Sequence, residues 1–431
     1  MRELFELITR RSEPSPPVLE GRGRRIEGLE AVRAIAALAV VTGHAFDFTL
    51  IDPTLVVPDV VQKLFFAHPS VLLFFLLSGY VIGLATTSRF SAAAARLYAL
   101  KRTARLYPIF IVGLFLGWSL QGPLNVTEAI GNLFLLGGLK PYFGIGIYPP
   151  FTNQPLWSIS YEAIYYAVFI AVWAWRPRWG IVFGIPAILA LFSLPLKVVP
   201  PFLSSWSAGF LFWAVGLWLS WNAVRGATLK RPLLTWFLLL IATYEMGPLF
   251  LLAAKVFGNR PEWPKVNLTD IAFLPVCMLI VCDAAGIILK WRRIWVGLAF
   301  AIPAAGLAMW IGTKGLDLSD PTVQAPLGVM ISAGAFYTLR GSLAHVRWLA
   351  WMGGCSYGIY AIHYPILHVF RDHFPWNGSR IVTAVGVIAF YATVIGLSYV
   401  LESSARKFFL DPLRKRNPKG VPVAAAAGAE T

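Results

Sequence analysis

The sequence predicts an all-α fold, a polytopic transmembrane helix bundle of about ten to twelve spans with both termini cytoplasmic. Three observations carry this reading. The chain is 57% hydrophobic and only 13% charged, where an ordinary soluble domain carries about 25% charged residues. Apolar runs near the length needed to cross a hydrocarbon core of about 30 Å recur along it. Lys and Arg gather in alternate connections, the asymmetry that orients membrane helices. Seventeen Trp, thirty Phe and fifteen Tyr supply interfacial aromatics, and no stretch shows the short alternating strands of a barrel.

The net charge of +16 is spread over many short loops. That distribution reads as topology signals and contacts with lipid headgroups rather than a nucleic-acid surface. Cys277, Cys282 and Cys355 lie in apolar runs without ligand spacing, so neither disulfides nor a metal site is expected. Residues 1–25 are polar and Arg-rich without an apolar h-region, and they read as a basic cytoplasmic arm rather than a cleavable signal. The transmembrane domain is expected over 26–406 and a cytoplasmic tail over 407–431, with no soluble domain appended. Location in the inner or plasma membrane follows.

The first span is expected at about 29–50 and the second at 68–87, followed by the basic run Arg89, Arg96, Lys101, Arg102 and Arg105. The third, 106–121, opens with Tyr107-Pro108, where Pro suits the first turn of a helix. In the connection 122–154, the apolar patch AIGNLFLLGGL is too short to cross and reads as re-entrant or interfacial. A fourth span covers 155–175. Further candidates fall at 179–197, 205–224, 232–254, 267–289, 294–312, 324–339, 348–370 and 380–404.

Inside the first span stand Glu30, Arg33, His44 and Asp47, and ionisable groups at membrane depth are functional by default. At about 100° per residue they share one face, with Arg33 and His44 about 16 Å apart along the axis. His44 is the natural general base, because only imidazole titrates near neutrality unperturbed. Asp47, one turn on, is placed to orient its ring. Arg33 reads either as an interfacial anchor or as a phosphate contact. Arg102 and Arg105 share a helix face; they read either as another anchor at the inner surface or, with Arg33, as a cationic mouth for a polyphosphate ligand.

Glu162 sits about one and a half turns into the apolar helix PLWSISYEAIYY, and a cationic or hydroxyl partner is expected for it. Trp157, Ser158, Tyr161 and Tyr165 line the same helix start as interface or substrate contacts. His363, ahead of Pro365, is a second candidate for the site, and Glu402 reads as another buried partner.

These pieces fall in a recognisable order: Arg33 and His44 with ten residues between them, then FFLLSGYVI, KRTARLYP, WSISYE and SYGIYAIHYP. In order and spacing the chain resembles the acyltransferase-3 family of integral membrane acyltransferases, most densely over 26–166 and again over 351–406. The resemblance implies transfer of an acyl group, most often acetyl from cytoplasmic acetyl-CoA, to a hydroxyl of a carbohydrate or glycolipid acceptor. It also implies that His44 is catalytic and paired with Arg33, that Arg102 and Arg105 form the cytoplasmic arginine motif, and that Glu162 is the motif carboxylate. Direct transfer and an acyl-His44 intermediate both fit. A secondary transporter or exporter is the rival reading, favoured by the number of spans and the ionisable groups at mid-membrane.

Overall fold

The computed structural model describes residues 9–12, 22–47, 51–123, 125–142, 145–196, 201–222, 224–225, 233–247, 249, 251–252, 265–338 and 347–415. It is a bundle of helices: α1 (Arg22–Thr42), α2 (Ala67–Ala85), α3 (Ala92–Gln121), α4 (Val126–Leu133), α5 (Trp157–Trp175), α6 (Trp179–Leu196) and α7 (Pro201–Asn222) come first. They are followed by α8 (Leu233–Met246), α9 (Leu274–Ala285), α10 (Arg292–Lys314), α11 (Pro321–Thr338), α12 (Arg347–Gly353), α13 (Ser356–His373) and α14 (Arg380–Ala405). Eight helices among the described residues are long and apolar enough to cross a membrane. The chain is a multi-pass membrane protein. Helices α6, α8, α11 and α13 fall at the remaining predicted spans; α6 and α8 are the shorter apolar ones, and α13 carries Arg371, Asp372 and His373 at its end.

Two boundaries differ from the sequence reading, each for a local reason. Helix α3 begins at Ala92, with Ser91 accepting the Ala94 N–H as its N-cap, so Pro108 lies inside it rather than in its first turn. The run AAAARLYALKR has high helix propensity, and it extends the helix through the basic stretch despite the bond that Pro108 cannot donate to the Ala104 carbonyl. Helix α1 ends in a π-helical turn, Gly43–Asp47. Such turns widen the helix by one residue and recur at functional sites.

The connection before α5 holds the eight-residue α4, a hairpin of β1 (Leu139–Tyr142) and β2 (Ile145–Ile147), and a 3-10 turn over Phe151–Leu156. At about 1.5 Å per residue α4 reaches about 12 Å, too little to cross. Its exposed Val126, Ile130 and Phe134 form one apolar face. Three asparagines serve as turn and cap devices: Asn125 caps α4, Asn267 forms a capping box with Asp270, and the Asn377 side-chain Oδ1 accepts the Ser379 N–H ahead of α14.

Close backbone approach sets the centre of the bundle. A Cβ on Gly79 would overlap the Trp213 carbonyl, and one on Gly216 would overlap the Leu76 carbonyl, so α2 and α7 pack as small-residue faces do in membranes. Around them stack Phe75, Tyr161, Tyr165, Phe169 and Trp213. Helix α1 packs among α2, α9, α12 and α13; its Gly28 meets the Ala284 carbonyl and its Glu30 backbone meets Gly353. This contact fixes polarity. The start of α1 and of α13 lie at one end, with the end of α14, and the His44 turn lies toward the other.

At that second end Asp52, outside the spans, accepts the Thr54 N–H (2.8 Å), the Thr54 hydroxyl (2.7 Å) and the Thr383 hydroxyl (2.6 Å), tying the loop to α14. Desolvation raises its pKa, but the hydrogen bonds from Thr383 and Thr54 outweigh that and hold it below the usual carboxylate value. A depressed folded-state pKa stabilises above the unfolded value and stops doing so as pH falls through the folded one. Acidification below about pH 4 should therefore loosen residues 52–58, seen as faster hydrogen exchange after correction for the intrinsic rate. Asp52→Asn should abolish that pH dependence; an unchanged profile would refute the tie.

Candidate active site

Helix α1 delivers Arg33 and His44 to two ends of one polar seam. Near its start, the Arg33 guanidinium pairs with Glu30 at 3.3 Å, one turn back. Both side chains are only 13% and 16% exposed, so this is not a surface anchor. Arg33 lines a narrow cavity with Ser78, Arg105, Ser158, Glu162 and Tyr360. Arg105 stands in the field of Glu402, Glu30 and Glu162. Glu402 in turn accepts the Gly358 N–H at 3.2 Å and faces Arg105, Arg406 and Arg33. Counting Arg102 beside the cavity, the four guanidiniums Arg33, Arg102, Arg105 and Arg406 exceed the three carboxylates Glu30, Glu162 and Glu402 by one, which leaves this end positive.

Arg102 takes a different place from Arg105. Its guanidinium lies over the rings of Tyr98 and Tyr166, 5.5 Å from each centroid, a cation–π arrangement beside the cavity rather than in its wall. The link between them is Tyr166, whose hydroxyl donates to Glu162. Ser78 donates to the same carboxylate oxygen at 2.7 Å. Glu162 thus has the hydroxyl partners a buried carboxylate needs.

Farther along the seam, Ser158 donates to the Tyr360 hydroxyl (2.6 Å), which donates to the Pro155 carbonyl (2.9 Å). Asn153 donates to the Gly113 and Ala361 carbonyls at 2.8 and 2.9 Å, so the 3-10 turn before α5 is pinned to α3 and α13 at this level. One turn after Tyr360 stands His363, fully buried. Its Nδ1 lies 2.8 Å from the Tyr360 carbonyl, and its Nε2 lies 2.9 Å from Nδ1 of His44. The two rings are nearly parallel, 8° apart, and Tyr364 meets His44 edge-on.

Proton positions in this pair follow from the partners. A carbonyl only accepts, so His363 carries its proton on Nδ1. Its Nε2 is then the acceptor, and His44 must donate from Nδ1. The basic nitrogen of His44 is Nε2. The atom that meets its Nδ1 is a second imidazole, where the sequence pointed to a carboxylate. The side chain of Asp47 lies outside the described residues.

Of the other predicted contacts, Ser158 lines the cavity. Tyr161 instead donates to Ser205 at 2.7 Å, and Trp157 packs edge-on to Tyr161 with the Lys265 ammonium 5.3 Å from its ring centroid. Sequence reasoning missed Ser78, Tyr166, Tyr360 and Lys265. Tyr166 was findable, being four residues after Glu162 on one helix face, and Ser78 was findable as a hydroxyl in the middle of an apolar span. No group of three or more metal-binding side chains occurs among the described residues.

The site residues from Arg33 to Glu162 fall within residues 26–282, which match the family model of an acyltransferase domain, acyltransferase-3. The chain belongs to the acyltransferase-3 family. Nodulation protein 10 of Rhizobium leguminosarum bv. viciae is similar to it, 27% identical over 211 residues that make up 43% of this chain and 56% of that protein. The chain thus spans about half the length of the curated relative it matches. No solved structure matches it. His363 lies beyond the stretch that the family model covers, and only the fold brings it to His44.

Proposed function

We propose that this protein is a membrane O-acyltransferase that moves an acyl group, most often acetyl, from acyl-CoA to a hydroxyl of a carbohydrate or glycolipid acceptor. The observation that carries the reading is the single polar seam from the positive Arg33 and Arg105 end, past Glu162 and Tyr360, to the His363–His44 pair. Acyl-CoA docks its phosphates on Arg33 and Arg105, with Arg102 adding charge beside them, and extends its pantetheine arm along the cavity. The Arg33 end and both termini then face the cytoplasm, and the membrane is the inner or plasma membrane.

In the reaction, Nε2 of His44 takes the proton of the acceptor hydroxyl as its oxygen attacks the thioester carbonyl. The carbon–sulfur bond breaks, and the CoA sulfur leaves and recovers the proton from His44. His363 is a positioning residue: it holds the Nδ1 proton of His44 and so keeps Nε2 basic, the role a carboxylate plays in a triad. Glu162, held by Ser78 and Tyr166, acts from the cavity wall, where it contacts the donor arm.

Thermal unfolding of the purified protein tests the donor half. Acetyl-CoA at one hundred times its Kd should stabilise by about 2.7 kcal/mol, CoA similarly, and ATP less. Arg33→Ala and Arg105→Ala should each remove most of the shift. No stabilisation by millimolar acetyl-CoA would sink the donor assignment and favour the transport reading.

A further inference from the structure

The His44 end of the bundle opens on two adjoining grooves that the donor path does not use. One, of about 430 Å³, sets His68, Glu245, Lys265, Asn267 and Asp270 around a largely apolar wall with Phe273. The other, of about 620 Å³, is mostly polar; it shares Tyr244 and Glu245 with the first and adds Asp59, Gln62, Lys63 and Asp320. Small-molecule sites usually enclose about 300–1,000 Å³, so the pair has room for an oligomer.

Two contacts tie these grooves to the reactive histidine. The residue before His44, Gly43, abuts Ala67, so His68 at the start of α2 stands next to the π-turn. Phe65, in the second groove, packs on Phe46 two residues after His44, with ring centroids 5.9 Å apart. Lys265 lines the first groove, and its charge reaches His44.

The charge of the lining is opposite to that of the chain. Among the described residues, the four carboxylates Asp59, Glu245, Asp270 and Asp320 outnumber the basic groups Lys63, Lys265 and His68, on a chain of net charge +16. Several groups are already held in place: Glu245 pairs with Lys63 at 3.5 Å, and Asp270 meets His68 at 3.0 Å. Fixed carboxylates, the amides of Gln62 and Asn267, and the rings of Tyr244 and Phe65 are the equipment for binding many hydroxyls, and like charge repels anions.

We infer that the paired grooves are the acceptor subsite and that they select a neutral or amine-bearing oligosaccharide over an anionic one. This rests on the acyl-transfer reading for its purpose, since that reading requires a hydroxyl donor beside His44. Selection by charge separates the two ends of the protein: polyanionic acyl-CoA belongs at the Arg33 end and is disfavoured at the other.

Calorimetric titration of the full chain in nanodiscs, without acyl donor, tests it with three probes: cellotetraose, glucosamine tetramer and tetragalacturonate. The first two should bind at least tenfold more tightly than the third. Glu245→Lys and Asp59→Lys should each shift the preference at least fivefold toward tetragalacturonate, a gain that misfolding cannot produce; Asp59 is exposed and tolerates the change even if Glu245→Lys does not fold. Equal or tighter binding of tetragalacturonate to the unaltered protein would overturn the inference. So would an unchanged preference in Asp59→Lys, or no binding of any probe at ten millimolar. Because no donor is present, failure of acetyl-CoA chemistry would strike the function reading without touching this one.

Discussion

Replacing His44 with Ala should lower acyl transfer by about 10² to 10⁴, the range for losing a general base, while acetyl-CoA still stabilises the protein. The donor phosphates are assigned to Arg33 and Arg105, and His44 lies about 16 Å from Arg33 along α1. The His363 variants separate a structural role from a positioning one. His363→Leu removes the acceptor for His44 Nδ1–H, frees the other tautomer, and should cost up to about 10⁴, as when a triad's orienting group is replaced by one that holds the wrong tautomer. His363→Gln keeps an acceptor oxygen and should recover much of the rate. Product formation and the pH–rate profile are the readouts: a tautomer defect lowers kcat and moves the acidic limb, where the base becomes protonated, whereas a packing defect does neither selectively. Full activity in a folded His44→Ala protein, or equal loss in the Leu and Gln variants, would defeat the mechanism.

The largest stability effect should come from Asp283. Its carboxylate accepts two bonds from Arg292, at 2.7 and 2.9 Å, and a third from the Trp236 indole N–H at 2.7 Å. Asp283 is 5% exposed and Arg292 30%, and the guanidinium also lies over the Trp236 ring. The cluster joins α8, α9 and α10. Asp283→Ala strands the guanidinium and the indole, and it should cost about 3 kcal/mol, as when one partner of a buried pair is removed. The double variant Asp283→Leu with Arg292→Met should recover most of that loss, because nothing charged is left unpaired. Thermal melting in detergent measures both. Additive losses in the double variant would show that the pair is not the source.

How much of this was legible depends on how far apart the interacting residues lie. The helical class is a local pattern, and it reads correctly because periodicity and composition report on one element at a time. Arg102 and Arg105 share a helix face, as their spacing implies, yet one stacks on Tyr98 and Tyr166 while the other lines the cavity. Tyr98 stands one turn before Arg102 on α3 itself, but Tyr166 and the Glu162 wall of the cavity come from α5, which no pattern within α3 contains. The same holds for Pro108: local punctuation placed it at a helix start, and the Ala-rich run ahead of it prevailed.

The sequence by itself determined the membrane helices, the spacing of Arg33 from His44 and the presence of Glu162 in an apolar span, because a helix has a fixed rise and a charge in lipid has few excuses. Only the tertiary structure decided what those groups meet. His44 and His363 are 319 residues apart, and their 2.9 Å contact depends on how α1 and α13 cross, on the close approach of Glu30 to Gly353, and on the π-turn that redirects His44. Packing between helices is set by the shapes of both surfaces together, so a residue's partner, and with it the tautomer that makes His44 a base, is not written in its own element.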